Sequence, residues 1–544
     1  MAGPNNGVVV IGGGLAGLAS AVELATHLGG DQVTLIEKNE HLGGKMNVLS
    51  EGGFTFDMGP TIITLPQVLR GIISRSGRQP EEYIDLRRLD PQWRCMFEDG
   101  SVVNLLERDV AMSAALDRQF PGQQAGEGWK RFITFSRRMY NLSDKVFFYK
   151  DLGGIADMMR ASPLGDPKLL GDVLAMRLHS TVAGTLHKML PEPHSRQIAE
   201  HFLQYVGSSP FMAPAILSLI AAAQVDHGCW YPMGGTRNVA AALERVAREQ
   251  GVRIITGRRI ERIETHSSGD VAGVLLDDGS RIACSDVVSN CDVQRTMRDL
   301  VGNSVPGAQA EQAKIASRYK PACSGVVLYL GLDRQYEHLA HHNFLFSSDS
   351  AAEFDDIYTK GVPARDPTLY LAAPSRTDSS QAPAGCESLY VLIHTPYLRP
   401  GQRWEGPDGL FAQYRPTIMA KLKGCGRMPD IEQHIRVERH LHPGLIDTMY
   451  NAEGGAIYGL ASHGRLHGGF KPNNRSRSVG RLYLAGGSAN PGPGVPMVLM
   501  SGVTAAHCML EDRQVETKPL DSLNADPFVF MASPAGRPEL AAAR

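Results

Sequence analysis

The sequence predicts an α/β protein whose parallel sheet is assembled from segments far apart in the chain, and three observations carry that prediction. Residues 7–37 alternate a β-rich run, a glycine turn, an Ala/Leu-rich helix and a second β-rich run, the order of a βαβ unit. Short strands broken by Gly257, Gly273 and Asp278-Gly279 return over 252–290. A further strand, glycine-rich turn and apolar helix begin at Leu482. Units of this kind build parallel sheets, and 544 residues exceed what one core usually holds.

A charged fraction of 21% and a formal net charge of -2 describe a folded protein without the basic surface that nucleic-acid binding requires. The eight cysteines are scattered and none forms a Cys-x-x-Cys pair, which suits free thiols in a reducing cytoplasm. No export signal is read ahead of the first strand. The longest apolar run, 214–225, is too short to span a bilayer and reads as a buried helix. If the protein meets a membrane, it is expected to lie on its surface.

The first element is the strand 8–11, followed by Gly12-Gly13-Gly14-Leu15-Ala16-Gly17 and a helix over 18–27. Gly12 permits the tight turn, Gly14 lets backbone approach a pyrophosphate, and Gly17 lets helix pack on strand. Free N–H groups at the helix start would face the phosphates. A second strand, 32–36, ends at Glu37, where a carboxylate can accept hydrogen bonds from a ribose diol. His41-Leu42-Gly43-Gly44-Lys45 then supplies a glycine pair and a cation, and Phe56-Asp57-Met58-Gly59-Pro60-Thr61 a turn. From about 107 to 191 the pattern becomes helical, with Trp129, Phe132, Ile133 and Phe135 interleaved with Lys130, Arg131, Arg137 and Arg138. Mixed structure follows over about 300–474. In 482–497 a buried strand and the turn Ala485-Gly486-Gly487-Ser488-Ala489-Asn490-Pro491-Gly492-Pro493-Gly494 lead into a helix from about Pro496, whose positive end suits the N1/O2 edge of a reduced flavin.

These motifs resemble those of the bacterial-type phytoene desaturase family, within the FAD-dependent amine-oxidase-like superfamily. Trp230-Tyr231-Pro232-Met233-Gly234-Gly235, Ser285 to Asn290 and His341 to Phe346 are similar to further segments of that family, so the resemblance runs from about 7 to 511. Lys45 stands where many relatives carry Arg. The resemblance implies FAD as cofactor, held by Gly12, Gly14, Ala16, Gly17, Glu37, Lys38, Gly44, Lys45, Pro60, Thr61, Gly487, Val495, Pro496 and Met497, with a backbone contact from Ile260 on a strand over 258–262. It implies a Rossmann-like FAD-binding domain from 1–75, 225–300 and 475–512, interleaved with a mixed α+β substrate domain from 76–224 and 301–474. A helical, membrane-facing insertion over about 107–191 belongs to the second, and 513–544 form a loosely held tail.

The activity so implied is desaturation of a long isoprenoid such as phytoene or diapophytoene, by hydride transfer to the flavin. Two alternatives stand beside it: oxidation of a carotenoid terminal methyl on the same scaffold, and a flavin-free prenyl-binding carrier like the Rab GDP-dissociation inhibitors. No catalytic residue is assigned and no metal is expected. Asp226-His227 and His341-His342 are candidate proton acceptors; Met158-Met159 and 497–500 are candidate tunnel walls. A carotenoid substrate dissolves in lipid, so peripheral association with the inner face of the cell membrane is expected. The surface around Trp129 to Arg160, with Phe147 and Phe148 inserted among headgroups, is the candidate contact. The sequence assigns no oligomeric state.

Overall fold

The computed structural model describes residues 7–154, 157, 177, 180–302, 305–464 and 468–520. Met158, Met159, Arg160 and the tail beyond residue 520 lie outside them. β1 (Val8–Ile11) pairs in parallel with β2 (Val33–Ile36) on one side and with Asp286–Ser289 on the other. Leu482–Leu484 extends the sheet beyond Asp286–Ser289, and Arg253–Ile255 extends it beyond β2. All four residues of β1 and of Asp286–Ser289 are buried, the near-continuous burial that a sheet covered on both faces requires. Helix α1 (Leu15–Leu28) crosses from β1 to β2 and packs against the helices Arg237–Glu249 and Val495–Asp512. Ser20 Oγ donates to the carbonyl of Gly502 at 2.9 Å, and a Cβ on Gly502 would lie 2.2 Å from the carbonyl oxygen of Ala16, so α1 and the last helix pack backbone against backbone.

The strand expected over 258–262 is displaced. Ile260–Thr265 pairs antiparallel with Val271–Leu276 in a separate three-stranded sheet, and Arg253–Ile255 is the segment that joins the parallel one.

A second sheet holds seven strands in the order Ile435–Leu441, Ser324–Leu332, Glu387–Thr395, Leu369–Ala372, His342–Leu345, Trp93–Met96 and Val102–Leu105. Its two nine-residue strands, Ser324–Leu332 and Glu387–Thr395, are buried throughout, and their side chains alternate between two cores. Leu328, Leu330, Val391 and Ile393 pack towards the helix Leu410–Lys423. Val327, Tyr329, Tyr390 and Leu392 face the other way, into a core shared with the helices Ala125–Val146 and Leu219–His227.

The insertion is helical over Asp109–Gln119, Ala125–Val146 and Val182–Met189. Helical periodicity turns Trp129, Phe132, Ile133 and Phe135 inward, leaving Lys130 and Arg131 outside. Arg137 is bound by Asp109 and Asp226, both at 2.6 Å. Phe147 and Phe148 do not form the membrane contact expected of them. They are 9% and 4% exposed, packed on Phe470 and Tyr140, because the aromatic stripe faces the core. No helix among the described residues is long and apolar enough to cross a membrane. The start of the tail is anchored, with Arg513 paired to Asp286 at 2.6 Å.

Candidate active site

Between the two sheets lies a cavity of about 460 Å³, and the termini of two helices open onto it. Gly12, Gly14, Leu15 and Ala16 form one rim at the start of α1. Gly14, at the N-cap, makes no side-chain cap hydrogen bond. Val495, Pro496, Met497 and Val498 form the other, at the start of Val495–Asp512, which also has no side-chain cap. The N–H groups of two first turns and the positive ends of two helix dipoles therefore converge on one space, a favourable setting for phosphate and for an anionic ring edge.

Glu37 borders the same space and is 6% exposed. One carboxylate oxygen accepts from Gly13 N at 2.7 Å, the other from the backbone and side chain of Asn39 at 2.9 Å each. Glu37 is thus held rigidly against the glycine turn. Gly44 and Lys45 lie next to it on the cavity wall. Lys45 Nζ donates to the carbonyls of Ala456 and Ile457 at 2.9 and 3.0 Å, and burial pushes its ammonium down to about 8, with nearby Asp292 acting against that shift.

The turn at Gly59 shows why its sequence is so constrained. A Cβ there would sit 2.0 Å from the carbonyl oxygen of Lys45, so only glycine allows the close approach that sets Pro60 and Thr61 beside the cavity. Asp57 anchors that turn by accepting from Thr236 N at 2.7 Å, and burial raises its carboxyl to about 6.

Three residues expected at the cofactor stand off the wall. Gly17 acts one layer behind: a Cβ there would lie 1.9 Å from the carbonyl oxygen of Gly12. Lys38 turns outward to Thr448 O and Asn451 Oδ1, at 3.0 and 3.2 Å. Ile260 is buried in the core between the parallel and three-stranded sheets. The candidate proton acceptors are also spoken for. Asp226 is clamped by Arg137 and His227 bonds Gln67 at 3.0 Å, outside the cavity. His341 Nδ1 pairs with Thr377 Oγ1 at 2.7 Å, and His342 Nδ1 with the Tyr370 hydroxyl at 2.8 Å. Burial holds both imidazoles well below their usual range. Of the four, His342 reaches the cavity, and only through Tyr370, whose hydroxyl bonds Thr61 Oγ1 at 2.5 Å.

Beyond Thr61 the wall becomes aromatic and apolar. Phe344, Tyr370, Tyr390, Leu392 and Leu441 line it from the seven-stranded sheet, Ile446 from the helix Pro443–Tyr450, and Ile220, Phe147 and Phe148 from the helical side. His201, Gln204, Tyr205, His394 and Tyr458 also border it, and sequence reasoning missed all of them. Asn290 and Asp292, just after the strand Asp286–Ser289, complete the rim beside Gly12 and Lys45. The sequence signals for this pair are the family-like segment Ser285 to Asn290 and its place at the C-terminal end of a parallel strand, where such folds bind ligands.

Residues 15–510 match the model of the family described as flavin containing amine oxidoreductase. The chain belongs to that family. As a member of the flavin-containing amine oxidoreductases it is an FAD-dependent oxidoreductase, which sets the flavin-free carrier reading aside. The cavity fits the group: glycine backbone, two uncapped helix starts, an acid beside the turn and an amine one step further are what a dinucleotide needs. Over 511 residues it is 36% identical to a 4,4'-diapolycopene oxygenase from a Methylomonas species, covering 94% of this chain and 99% of that one. It is 35% identical over 499 residues to a 4,4'-diaponeurosporene oxygenase of Staphylococcus haemolyticus, covering 92% and 96%. Among solved structures, a putrescine oxidase superposes with a TM-score of 0.61 at 13% identity, covering 93% of this chain and 99% of the other. An oxidoreductase from Methanosarcina mazei gives 0.58 at 17%, covering 92% and 99%. Both share the fold.

Proposed function

We propose that the protein is a carotenoid oxygenase that oxidises a terminal methyl of a linear, conjugated carotenoid of the 4,4'-diapo type. The observation that carries this reading is the likeness, over nearly the full length of each chain, to two proteins named for oxygenation of such carotenoids. It favours terminal oxidation over the desaturation implied by the motifs alone. The aromatic chamber supports it, since a polyene leaving water gains about 0.8 kcal/mol per buried methylene.

In this reading Gly12, Gly14, Ala16 and Gly44 admit the pyrophosphate and Lys45 faces its charge. Glu37 holds the ribose, and Thr61, Pro60, Gly487, Val495, Pro496 and Met497 border the flavin ring. Bound FAD supplies two-electron redox chemistry and reactivity with dioxygen. The chain's part is to exclude water, which Phe147, Phe148, Phe344 and Tyr390 do with their rings, and to orient the polyene so that one end lies near Thr61. The net conversion is one methyl and one dioxygen to one aldehyde and one water. The substrate resides in lipid, so peripheral association with the inner face of the cell membrane is part of the proposal, through a surface other than Phe147 and Phe148.

The test is to incubate the FAD-loaded protein in liposomes with 4,4'-diaponeurosporene and, separately, with a less desaturated precursor, under ¹⁸O₂. Heavy oxygen at the terminal carbon of the conjugated substrate is the expected product by mass. Loss of hydrogen pairs from the precursor, with no label in either product, would overturn the reading in favour of desaturation.

A further inference from the structure

The chamber that receives the polyene is not purely apolar, and two facing elements contribute polar groups to it. On the strand Glu387–Thr395, Tyr390, Leu392 and His394 occupy alternate positions and all border the cavity. On the helical turn opposite, His201 and Gln204 stand three residues apart, one above the other, and border it too. His201 is held edge-on by Phe344, Phe346 and Trp93, with ring centroids 4.5, 5.2 and 6.1 Å away. His394 lies near enough to add its own electrostatic effect to the burial that keeps His201 uncharged. Neutral imidazoles of this kind each offer one donor and one acceptor.

Gln204 is the most informative of these side chains. It is 2% exposed, and neither its amide nitrogen nor its amide oxygen has a hydrogen-bond partner. A buried amide with both ends unmet is rare in a folded protein and costs stability. Leucine or methionine would fill the same volume without that cost if the chamber held nothing but hydrocarbon. A polar ligand atom arriving beside it would remove the penalty.

We infer that Gln204, with His201 and His394, forms an oxygen-recognising subsite for the hydroxyl or aldehyde end of a carotenoid. The inference rests on the oxygenase reading and names a preference within it. The chamber binds a chain already carrying a terminal oxygen more tightly than the hydrocarbon of the same length. Gln204 can donate to an aldehyde oxygen, and can both donate to and accept from a hydroxyl, while the imidazoles offer a second contact. It is a specificity-determining group.

The experiment titrates the FAD-loaded protein in liposomes with three carotenoids of equal polyene length, ending in methyl, hydroxymethyl or aldehyde. Binding is followed by the shift of the polyene absorption band. The oxygen-bearing pair should bind about tenfold more tightly than the methyl form, the effect of roughly 1.4 kcal/mol. Gln204→Leu should abolish that difference, with flavin absorbance showing that the cofactor is retained. Gln204→Met repeats the test should the leucine variant lose flavin, and His201→Phe should reduce the preference partially. Equal affinity of all three ligands for the unaltered protein would overturn the inference, as would a preference surviving in either Gln204 variant. If none of the three binds, it is the carotenoid reading itself that falls.

Discussion

The nucleotide end of the cavity and the chamber beyond it are built by opposite means. The nucleotide end is made by leaving side chains out: Gly12, Gly14 and Gly44 expose backbone, two helix starts point their N–H groups inward, and Glu37 is fixed by a 2.7 Å bond to Gly13 N. The chamber is made by adding them, with aromatic rings from the strands Trp93–Met96, His342–Leu345, Leu369–Ala372 and Glu387–Thr395 meeting rings from the insertion. Backbone cradles tolerate almost no addition, whereas a ring-lined chamber tolerates exchange of similar volumes but not loss. Substitutions that add a methyl to the first, or remove a ring from the second, therefore probe the same contrast from two sides.

The largest effect is expected from Phe147→Ser with Phe148→Ser. Both rings are buried against Phe470 and Tyr140 and border the cavity. Truncating one such ring costs roughly 3–5 kcal/mol, and two together approach the whole stability of many domains, about 5–15 kcal/mol. The double variant should melt far lower or fail to accumulate with flavin, while Phe148→Leu should keep flavin and lose only a few degrees. Weakened liposome binding with an unchanged melting temperature would mean instead that the pair lies on a surface.

Next in size is Gly17→Ala. Its added Cβ would lie 1.9 Å from the Gly12 carbonyl oxygen, so α1 must move off β1. Overpacking of this kind costs about 1–3 kcal/mol and here also opens the phosphate turn. The ratio of flavin to protein absorbance should fall severalfold, and a variant as yellow as the parent would show that the contact relaxes freely. Glu37→Ala follows. Removing a charged acceptor placed for a ribose should weaken FAD binding by roughly 1–3 kcal/mol, about fivefold to 150-fold in Kd. Full retention through purification would mean that the ribose is held elsewhere.

What the sequence discloses follows the same divide. The phosphate turn is a local pattern: Gly12 to Gly17 between a strand and a helix, then Glu37 at the next strand's end, each read from neighbours a few residues away. The turn at Gly487 and the helix from Val495 are equally local. The chamber is not, because His201 and Gln204 on one helical turn meet Tyr370 and His394 on two strands, and that juxtaposition depends on the register of a seven-stranded sheet. Ile260 stands between these cases. Two short strands, Arg253–Ile255 and Ile260–Thr265, lie five residues apart, and strand propensity cannot say which joins β2. The insertion misleads because an amphipathic helix looks alike whether its aromatic face meets lipid or core.

The smallest effect concerns Lys45, whose proposed link to the cofactor is one of charge rather than shape. An ordinary lysine titrates near 10.5, whereas burial holds this one at about 8 when no phosphate is near. Between those values the FAD-free folded protein binds fewer protons than the unfolded chain, so its stability rises with pH through that window. FAD reverses the preference, since a pyrophosphate favours the ammonium form and raises its pKa. FAD affinity should then be full below pH 8 and decline above it, by at most tenfold per pH unit, until the pKa of the bound state is reached. Lys45→Arg, charged throughout, should keep its affinity flat from pH 7 to 9.5, and Lys45→Met should be flat but weaker at pH 7. Flavin fluorescence on release reads all three profiles. A parent profile as flat as that of Lys45→Met would separate the amine from the phosphates and leave its bonds to Ala456 and Ile457 as its whole role.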